Sequence, residues 1–412
     1  MGRNSSPSPP GPLAGLRVVD MTTSYAGPTA AMYLADLGAD VIKVERPGHG
    51  DDARAWGPPF VDGTSAWFAS ANRNKRSVVV DLRSSEGQSV LRSLIDSADV
   101  FMQNLNPAKL RRLGMDPETL RATNPRLVYC AMSGFGLDGP DSSLPGYDLA
   151  AQARSGLMSV TGAEGGVPQR VSTALSDIVT GMCAALAVCA AAVRQRTEGL
   201  GDVIDVSLLD SDLALMAPRI AAFMAGEPEP APSGGTDSVL AVYQPFETAD
   251  RQLVIAIGND AMWLRFCAAL GLDDLAAEPG LGDNAGRRAH RARISEAVAL
   301  RMKERTAAEW TSILGEADVP CSLVQSLSEV VSDPQVKARE SVMPVPGSSG
   351  LHSVRSPFRL ASIPEPRNEP SPELGAHTEE VLRALGMSEE QIAALAAARV
   401  IEVSREGVGS GV

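Results

Sequence analysis

From Arg17 onward, short β-type runs alternate with helical patterns, and this alternation limits the possible folds more than any other feature of the chain. Strands separated by helices predict an α/β fold with a parallel sheet covered on both faces. Strands are expected at residues 17–21, 41–44, 77–81, 100–102 and 127–132, with helices at 29–37, 86–96, 107–113 and 117–122 between them.

Ligands of such sheets bind beyond the carboxyl ends of the strands. The loop at residues 22–28 and the loop that begins at Ser133 both follow a predicted strand, so both are candidate binding loops. The first loop lacks the G-x-G-x-x-G pattern of a dinucleotide site, which disfavours a nicotinamide-binding Rossmann domain.

After Leu208 the pattern changes. Residues 226–235 are rich in Gly and Pro, as in an interdomain linker. Strands at 239–247 and 253–257 are followed by helices at 262–270, 291–301 and 307–314, which predicts a smaller α+β domain. Helices are expected again at 379–385 and 389–396.

Composition excludes several functional classes. The net charge of −13 argues against nucleic acid as a partner, because there is no excess positive charge to neutralise phosphates. Five cysteines without C-x-x-C spacing and four scattered histidines predict neither a disulfide framework nor a metal site. A reducing cytoplasm is therefore expected. Residues 178–193 are free of charge, and we interpret this run as a buried helix and not as a membrane span.

The stretch around Ser133 holds the strongest candidate for chemistry. Gly134, Gly136 and Gly139 are followed by Pro145-Gly146-Tyr147-Asp148, and an uncharged run begins directly after the aspartate. This places Asp148 at or near a helix N-terminus, where unpaired backbone N–H groups favour an ionised carboxylate. Asp148 is then either a turn and helix-capping residue or a carboxylate nucleophile.

Read together, the motifs resemble the class III CoA-transferase family, which includes formyl-CoA and carnitine-type transferases and α-methylacyl-CoA racemase. The resemblance covers residues 13–386. The matching segments are 13–18, Ala26-Gly27-Pro28, 34–47, 74–77, 124–129, 133–136, Pro145-Gly146-Tyr147-Asp148, Asp177, Tyr243-Gln244, 257–260, 319–321 and 374–378.

The resemblance implies an interlocked homodimer of two-domain chains. A large Rossmann-like, CoA-binding domain would comprise residues 13–225 and 336–405, and a linker at 226–237 would lead to the small domain at 238–335. Flexible tails are expected at 1–12 and 406–412. CoA is implied as a substrate, with no permanently bound cofactor. The residues implied to contact CoA are Arg46, Asn72, Lys75, Asn104, Leu105 and Arg112.

The resemblance also implies a mechanism. Asp148 would attack the donor thioester, become an aspartyl-CoA thioester and pass CoA to an acceptor carboxylate, while the mobile glycines Gly234 and Gly235 would shield the thioester from water. Three positions depart from the family pattern: Tyr25, Asn106 and the pair Asp237-Ser238. These departures leave the donor and the acceptor acid open.

Two alternatives remain. Racemases of the family move an α-proton between a His and an Asp. Here the His position is Tyr147 and the Asp position is Asp177. A phenol with a pKa of about 10 is a poor base, so racemisation is disfavoured. The other alternative is a non-catalytic acyl-CoA-binding protein, against which the carboxylates and glycines argue.

Overall fold

The computed structural model describes residues 11–363 and 365–403. The predicted tail at 406–412 and most of the tail at 1–12 lie outside the described residues. Within the described residues, the chain forms two compact units. The larger unit comprises the described parts of 1–157, 171–222 and 338–412, and the smaller comprises 158–170 and 223–337.

The strands are β1 (Arg17–Met21), β2 (Asp40–Glu45), β3 (Phe60–Val61), β4 (Thr64–Ser65), β5 (Arg76–Val80), β6 (Val100–Gln103), β7 (Val128–Ser133), β8 (Val203–Ser207), β9 (Tyr243–Glu247), β10 (Gln252–Ala256), β11 (Cys321–Leu323), β12 (Val342–Pro344), β13 (His352–Val354) and β14 (Ile401–Glu402).

The helices of the first half are α1 (Ala26–Asp36), α2 (Ala66–Asn72), α3 (Ser85–Asp96), α4 (Pro107–Leu113), α5 (Pro117–Thr123), α6 (Asp148–Arg154), α7 (Leu175–Glu198) and α8 (Leu208–Met224). Those of the second half are α9 (Asp260–Leu270), α10 (Asp273–Ala277), α11 (Asn284–Ala289), α12 (Arg291–Met302), α13 (Ala307–Glu316), α14 (Leu327–Val330), α15 (Pro334–Ala338), α16 (Thr378–Ala384) and α17 (Glu389–Ala397).

The larger unit is built on a seven-stranded sheet in the order β14-β5-β2-β1-β6-β7-β8. Six strands are parallel, and β14 adds to the β5 edge in antiparallel orientation. The chain moves outward from β1 to β5, returns to the other side of β1 as β6 and continues to β8. This is the doubly wound order of Rossmann-type sheets, with its switch point between β1 and β6. The predicted parallel α/β domain is confirmed.

Both faces of the sheet are buried. Neighbouring residues of each strand point to opposite sides, so each strand contributes to both clusters. Val18 joins the cluster covered by α1 and α7, whereas Val19 joins the cluster on the other face. Small residues let α1 and α7 approach closely: a Cβ added to Gly181 would lie 2.8 Å from the carbonyl oxygen of Ala26.

Helix α7 is longer than the charge-free run that predicted it, with 24 residues. It is also the one helix among the described residues long and apolar enough to cross a membrane, with a mean hydropathy of 1.8. About 44% of that apolar stretch is buried, and core helices of soluble proteins meet the same criteria. The interpretation as a buried helix holds for the face packed in the core, whereas Leu186 and Val193 on α7 are exposed.

The smaller unit has a three-stranded antiparallel sheet in the order β11-β10-β9, packed around Trp263, Phe266 and Trp310. Residues 158–170 belong to it, although the sequence-based boundaries placed them in the large domain. The physical reason is a backbone contact, because the amide of Gly234 donates to the carbonyl oxygen of Gly162 at 3.0 Å.

Candidate active site

A cavity of about 340 Å³ opens at the carboxyl ends of β1, β6, β7 and β8, next to the switch point of the sheet. Its polar lining consists of hydroxyl, amide and backbone groups from Thr23, Ser24, Asn104, Asn106, Ser133, Gly134, Ser142, Ser143, Gly146 and Thr180. Asp177 is the one charged residue among the described residues that line it. The rest of the lining is largely apolar and includes Met132, Leu144 and Leu208. The cavity therefore combines a single carboxylate with neutral polar and apolar groups.

The loop after β1 forms one wall, and two buried lysines hold it in place. Lys43 donates to the carbonyl oxygen of Thr22 at 3.0 Å, and Lys75 donates to that of Pro28 at 2.9 Å. Their ion pairs are with Asp51 and Asp20, and all four side chains are fully buried. Burial lowers the pKa of Lys75 to about 8, although Asp20 opposes this shift. The network fixes both ends of the loop.

Close backbone contact shapes the opposite wall. A Cβ added to Gly134 would lie 2.6 Å from the Cα of Gly146, so no side chain fits where these two segments cross. The crossing brings Tyr147 and Asp148 to the end of β7. Tyr147 lines the cavity and is 62% exposed.

Asp148 is the first residue of α6, but its carboxylate caps a different helix. Its Oδ1 accepts from the amides of Ser176 at 2.8 Å and Asp177 at 3.3 Å, in the first turn of α7. Ala174 at the N-cap position supplies no side-chain bond, so Asp148 replaces the missing cap. Its Oδ2 accepts from Nε2 of buried Gln152 at 2.7 Å. Both carboxylate oxygens are therefore held by protein groups.

Asp177 is held differently. Its backbone amide binds Asp148, whereas its carboxylate has no hydrogen-bond partner among residues 11–363 and 365–403. Burial, together with the charges of Asp148 and Asp212, raises the pKa of Asp177 to about 7. Asp212 is fully buried and accepts from Oγ of Ser176 at 2.8 Å. Burial raises the pKa of Asp212 as well, with the charge of Asp148 adding to the rise.

The structure brings together some of the residues predicted from sequence and separates others. Asn104, Leu105, Tyr147 and Asp177 line the cavity. The side-chain amide of Asn104 accepts from and donates to the backbone of Thr23, which ties the two sides of the switch point together.

The four other predicted CoA contacts lie outside the cavity lining. Arg46 and Arg112 are exposed, and Arg46 pairs with Asp52. Asn72 and Lys75 are buried and bind each other at 2.9 Å. Their prediction as CoA contacts is revised on this ground, because neither side chain presents a polar group to solvent.

Gly234 and Gly235 belong to the smaller unit and adopt φ angles of 65° and 92°, which favour glycine.

Sequence reasoning missed Gln152, Ser176 and Asp212. A signal for Gln152 was present, since it follows Asp148 by four residues and the two therefore share one helix face. Asp212 lies in α8, which follows β8 directly, and neither element had been predicted.

A cavity at the switch point of a doubly wound sheet is the usual ligand site of α/β proteins, and here it contains a carboxylate. The sequence profile of CoA-transferase family III matches residues 13–378. The succinate–glutarate CoA-transferase of Agrobacterium fabrum is 36% identical over 382 residues, covering 91% of this chain and 96% of that protein.

The mouse succinyl-CoA:glutarate CoA-transferase is 37% identical and covers 95% of this chain and 90% of that protein. Among solved structures, a CAIB/BAIF family protein from Brucella suis is 34% identical with a TM-score of 0.79, covering 91% of this chain and all of that one. The chain belongs to CoA-transferase family III. It is an enzyme that moves CoA from an acyl-CoA to a free carboxylic acid.

The buried lysine network generates a stability prediction. Lys75→Met leaves Asp20 buried without its ion-pair partner, and we expect a loss of about 3–5 kcal/mol in the free energy of unfolding. The matched control is Lys109→Met on the exposed face of α4, which should change stability by less than about 0.5 kcal/mol. Urea denaturation of both variants measures the difference, and equal stabilities would contradict the structural role of Lys75.

Proposed function

We propose that CoA transfer proceeds through an aspartyl-CoA thioester on Asp177, in place of Asp148 as the sequence had suggested. The observation that carries this proposal is the difference between the two carboxylates. Asp177 borders the cavity with its oxygens unbonded among the described residues, whereas both oxygens of Asp148 are bound to protein donors. An attacking oxygen must also reach the substrate, and Asp177 lines the cavity whereas Asp148 is absent from the lining.

The steps follow from a carboxylate nucleophile. Asp177 attacks the thioester carbon of the donor, and collapse of the tetrahedral adduct expels the CoA thiolate and leaves a mixed anhydride. The thiolate attacks the Asp177 carbonyl, which releases the donor acid and forms the aspartyl-CoA thioester. An acceptor carboxylate then attacks this thioester, and the returning thiolate cleaves the second anhydride to give the new acyl-CoA and free Asp177.

The surroundings of Asp177 suit this chemistry. Partial burial and nearby Asp148 and Asp212 keep its pKa near 7, so the carboxylate is ionised at slightly alkaline pH but more basic than a solvated one. The first turn of α7 supplies the positive end of a helix dipole. Asp148 has the supporting task of capping this turn and so fixing the backbone of Asp177.

Racemisation receives less support. Tyr147 and Asp177 both line the cavity, as two proton-transfer groups would. However, the named relatives with 36–37% identity are CoA-transferases.

We propose short polar acids as the substrates, with succinyl-CoA as donor and a dicarboxylate such as glutarate as acceptor. Two relatives that cover most of the chain are named for these compounds. The hydroxyl and amide groups in the lining also provide hydrogen-bond donors for the free carboxylate of a short dicarboxylic acyl group. Tyr25, which is hydrogen-bonded to Ser70, stands where formyl-CoA transferases have Gln, and this difference is our reason to place glutarate before oxalate as the acceptor.

CoA itself would bind along the larger unit. Asn104 and Leu105 line the cavity where the pantetheine arm enters, and exposed Arg46 and Arg112 are candidates for its phosphates. Asn72 and Lys75 hold the adjoining loop from within.

Gly234 and Gly235 are proposed to cover the thioester as a mobile loop. The enzyme is proposed to work in the cytoplasm without nucleic acid or membrane partners.

The first prediction separates the two aspartates. Asp177→Asn should abolish CoA transfer from succinyl-CoA to every acid in a panel of mono- and dicarboxylates, because the amide is no nucleophile. Asp148→Asn is the matched control. Its side-chain oxygen still accepts from the α7 amides, so measurable activity should remain. Activity in Asp177→Asn together with none in Asp148→Asn would restore Asp148 as the nucleophile.

The second prediction concerns pH. Only ionised Asp177 attacks, so kcat/KM should rise about tenfold per pH unit up to a pH of about 7 and then level off. The folded pKa exceeds the unfolded one, so ionisation costs stability above a pH of about 4. Asp177→Asn should therefore have a higher Tm than the wild type at pH 8, and this gain should vanish near pH 4. A lower Tm at pH 8 would contradict the proposal.

The third prediction concerns a homodimer, which we propose because Leu186 and Val193 are 72% and 63% exposed on α7. Leu186→Glu combined with Val193→Glu should give a monomer in light scattering, where the wild type is a dimer. Leu300→Glu, at a similarly exposed apolar position on α12, is the matched control and should leave the dimer intact. A monomeric wild type, or one soluble only in detergent, would exclude this assembly.

A further inference from the structure

The hydroxyl group of Thr180, on the same helix as Asp177, makes no hydrogen bond with the described residues. Thr180 lies three residues after Asp177 on α7, so both side chains are on the same face of the helix, and both line the cavity. Thr180 is fully buried, yet its Oγ1 has no hydrogen-bond partner within the described part of the chain. Buried polar atoms are paired in the large majority of cases. An unpaired donor next to a reactive carboxylate is therefore a candidate for binding substrate.

Thr180 also does not use the hydrogen-bond acceptor that is usual for a threonine inside a helix. A threonine inside a helix commonly donates to the carbonyl oxygen four residues earlier, which here belongs to Ser176. Thr180 makes no such bond among the described residues. The hydroxyl is thus left without an internal acceptor, on a residue of the cavity wall.

We infer that Thr180 Oγ1 donates a hydrogen bond to the thioester carbonyl oxygen while Asp177 attacks the carbonyl carbon. This inference rests on the proposed role of Asp177. The lone pair of Asp177 forms the new C–O bond, and the π electrons of the carbonyl move to its oxygen. When the adduct collapses, the C–S bond breaks and its electrons leave with the CoA sulfur. The hydroxyl keeps its proton and stabilises the oxyanion.

The spacing fits this arrangement. Side chains at positions i and i+3 of a helix have Cβ atoms about 5–6 Å apart. A reacting carbonyl carbon lies about 3–3.5 Å from its nucleophile, and an oxyanion lies about 2.7–3.1 Å from its donor. One carbonyl group therefore bridges the two side chains. The first and the last tetrahedral adducts form on a substrate carbonyl carbon bonded to Asp177, so one donor serves both of these steps. The two adducts between them form on the carboxyl carbon of Asp177 itself.

The test measures the single-turnover reaction of Asp177 with succinyl-CoA, followed by succinate release and by the intact-protein mass of the aspartyl-CoA thioester. Thr180→Val keeps the shape and removes the hydroxyl. The matched control is Thr29→Val on α1. Thr29 Oγ1 is also buried and unpaired among the described residues, but Thr29 does not line the cavity. Thr180→Ser restores the hydroxyl.

We expect Thr180→Val to slow acylation about 100-fold with little change in the KM for succinyl-CoA, as the loss of one oxyanion donor does. Its Tm should equal or exceed that of the wild type, because an unpaired hydroxyl is replaced by a methyl group. Thr29→Val should acylate at the wild-type rate, and Thr180→Ser should recover most of the lost rate.

Two results would overturn the inference. One is an unchanged acylation rate in Thr180→Val. The other is an equal rate loss in Thr29→Val, which would indicate a packing effect. A wild-type enzyme that acquires no mass on Asp177 would instead refute the proposed nucleophile, so the two failures are distinguishable.

Discussion

The hydrogen bonds from the first turn of α7 to Asp148 are the contact on which the site depends. They satisfy amides that Ala174 cannot cap, and they join α6 to the helix that carries Asp177. Because the bond at Asp177 uses its backbone amide, the side chain is left free to face the cavity. A carboxylate that holds a helix start thereby fixes the position of a second carboxylate.

This arrangement places three aspartates close enough to repel one another. Asp148, Asp177 and Asp212 influence one another electrostatically, and no Lys or Arg lines the cavity among the described residues. Asp148 is compensated by amides and by Gln152, and Oδ2 of Asp212 by hydroxyl groups, whereas Oδ1 of Asp212 is unpaired among the described residues. Asp177 has no such partner at either carboxylate oxygen within the described chain, which destabilises the ionised form of the free enzyme and makes the carboxylate a stronger nucleophile.

Much of the fold was predictable from the sequence. Strands β1, β2, β5, β6 and β7 follow from β-branched runs between helical patterns, and this alternation predicted the parallel sheet. Strand β8 was missed because it is a partly exposed edge strand whose apolar run is interrupted by Asp205. The position of Asp148 at a helix start was confirmed. Its partner was not predictable, because the amides it binds lie 28 residues away.

The central claim is that Asp177 carries the covalent intermediate. The direct measurement is peptide mapping of enzyme incubated with acyl-CoA and quenched with hydroxylamine, which converts an aspartyl thioester to a hydroxamate of altered mass. The account predicts the modification on the peptide that contains Asp177 and an unmodified Asp148. A hydroxamate on Asp148, with Asp177 unmodified, would contradict it.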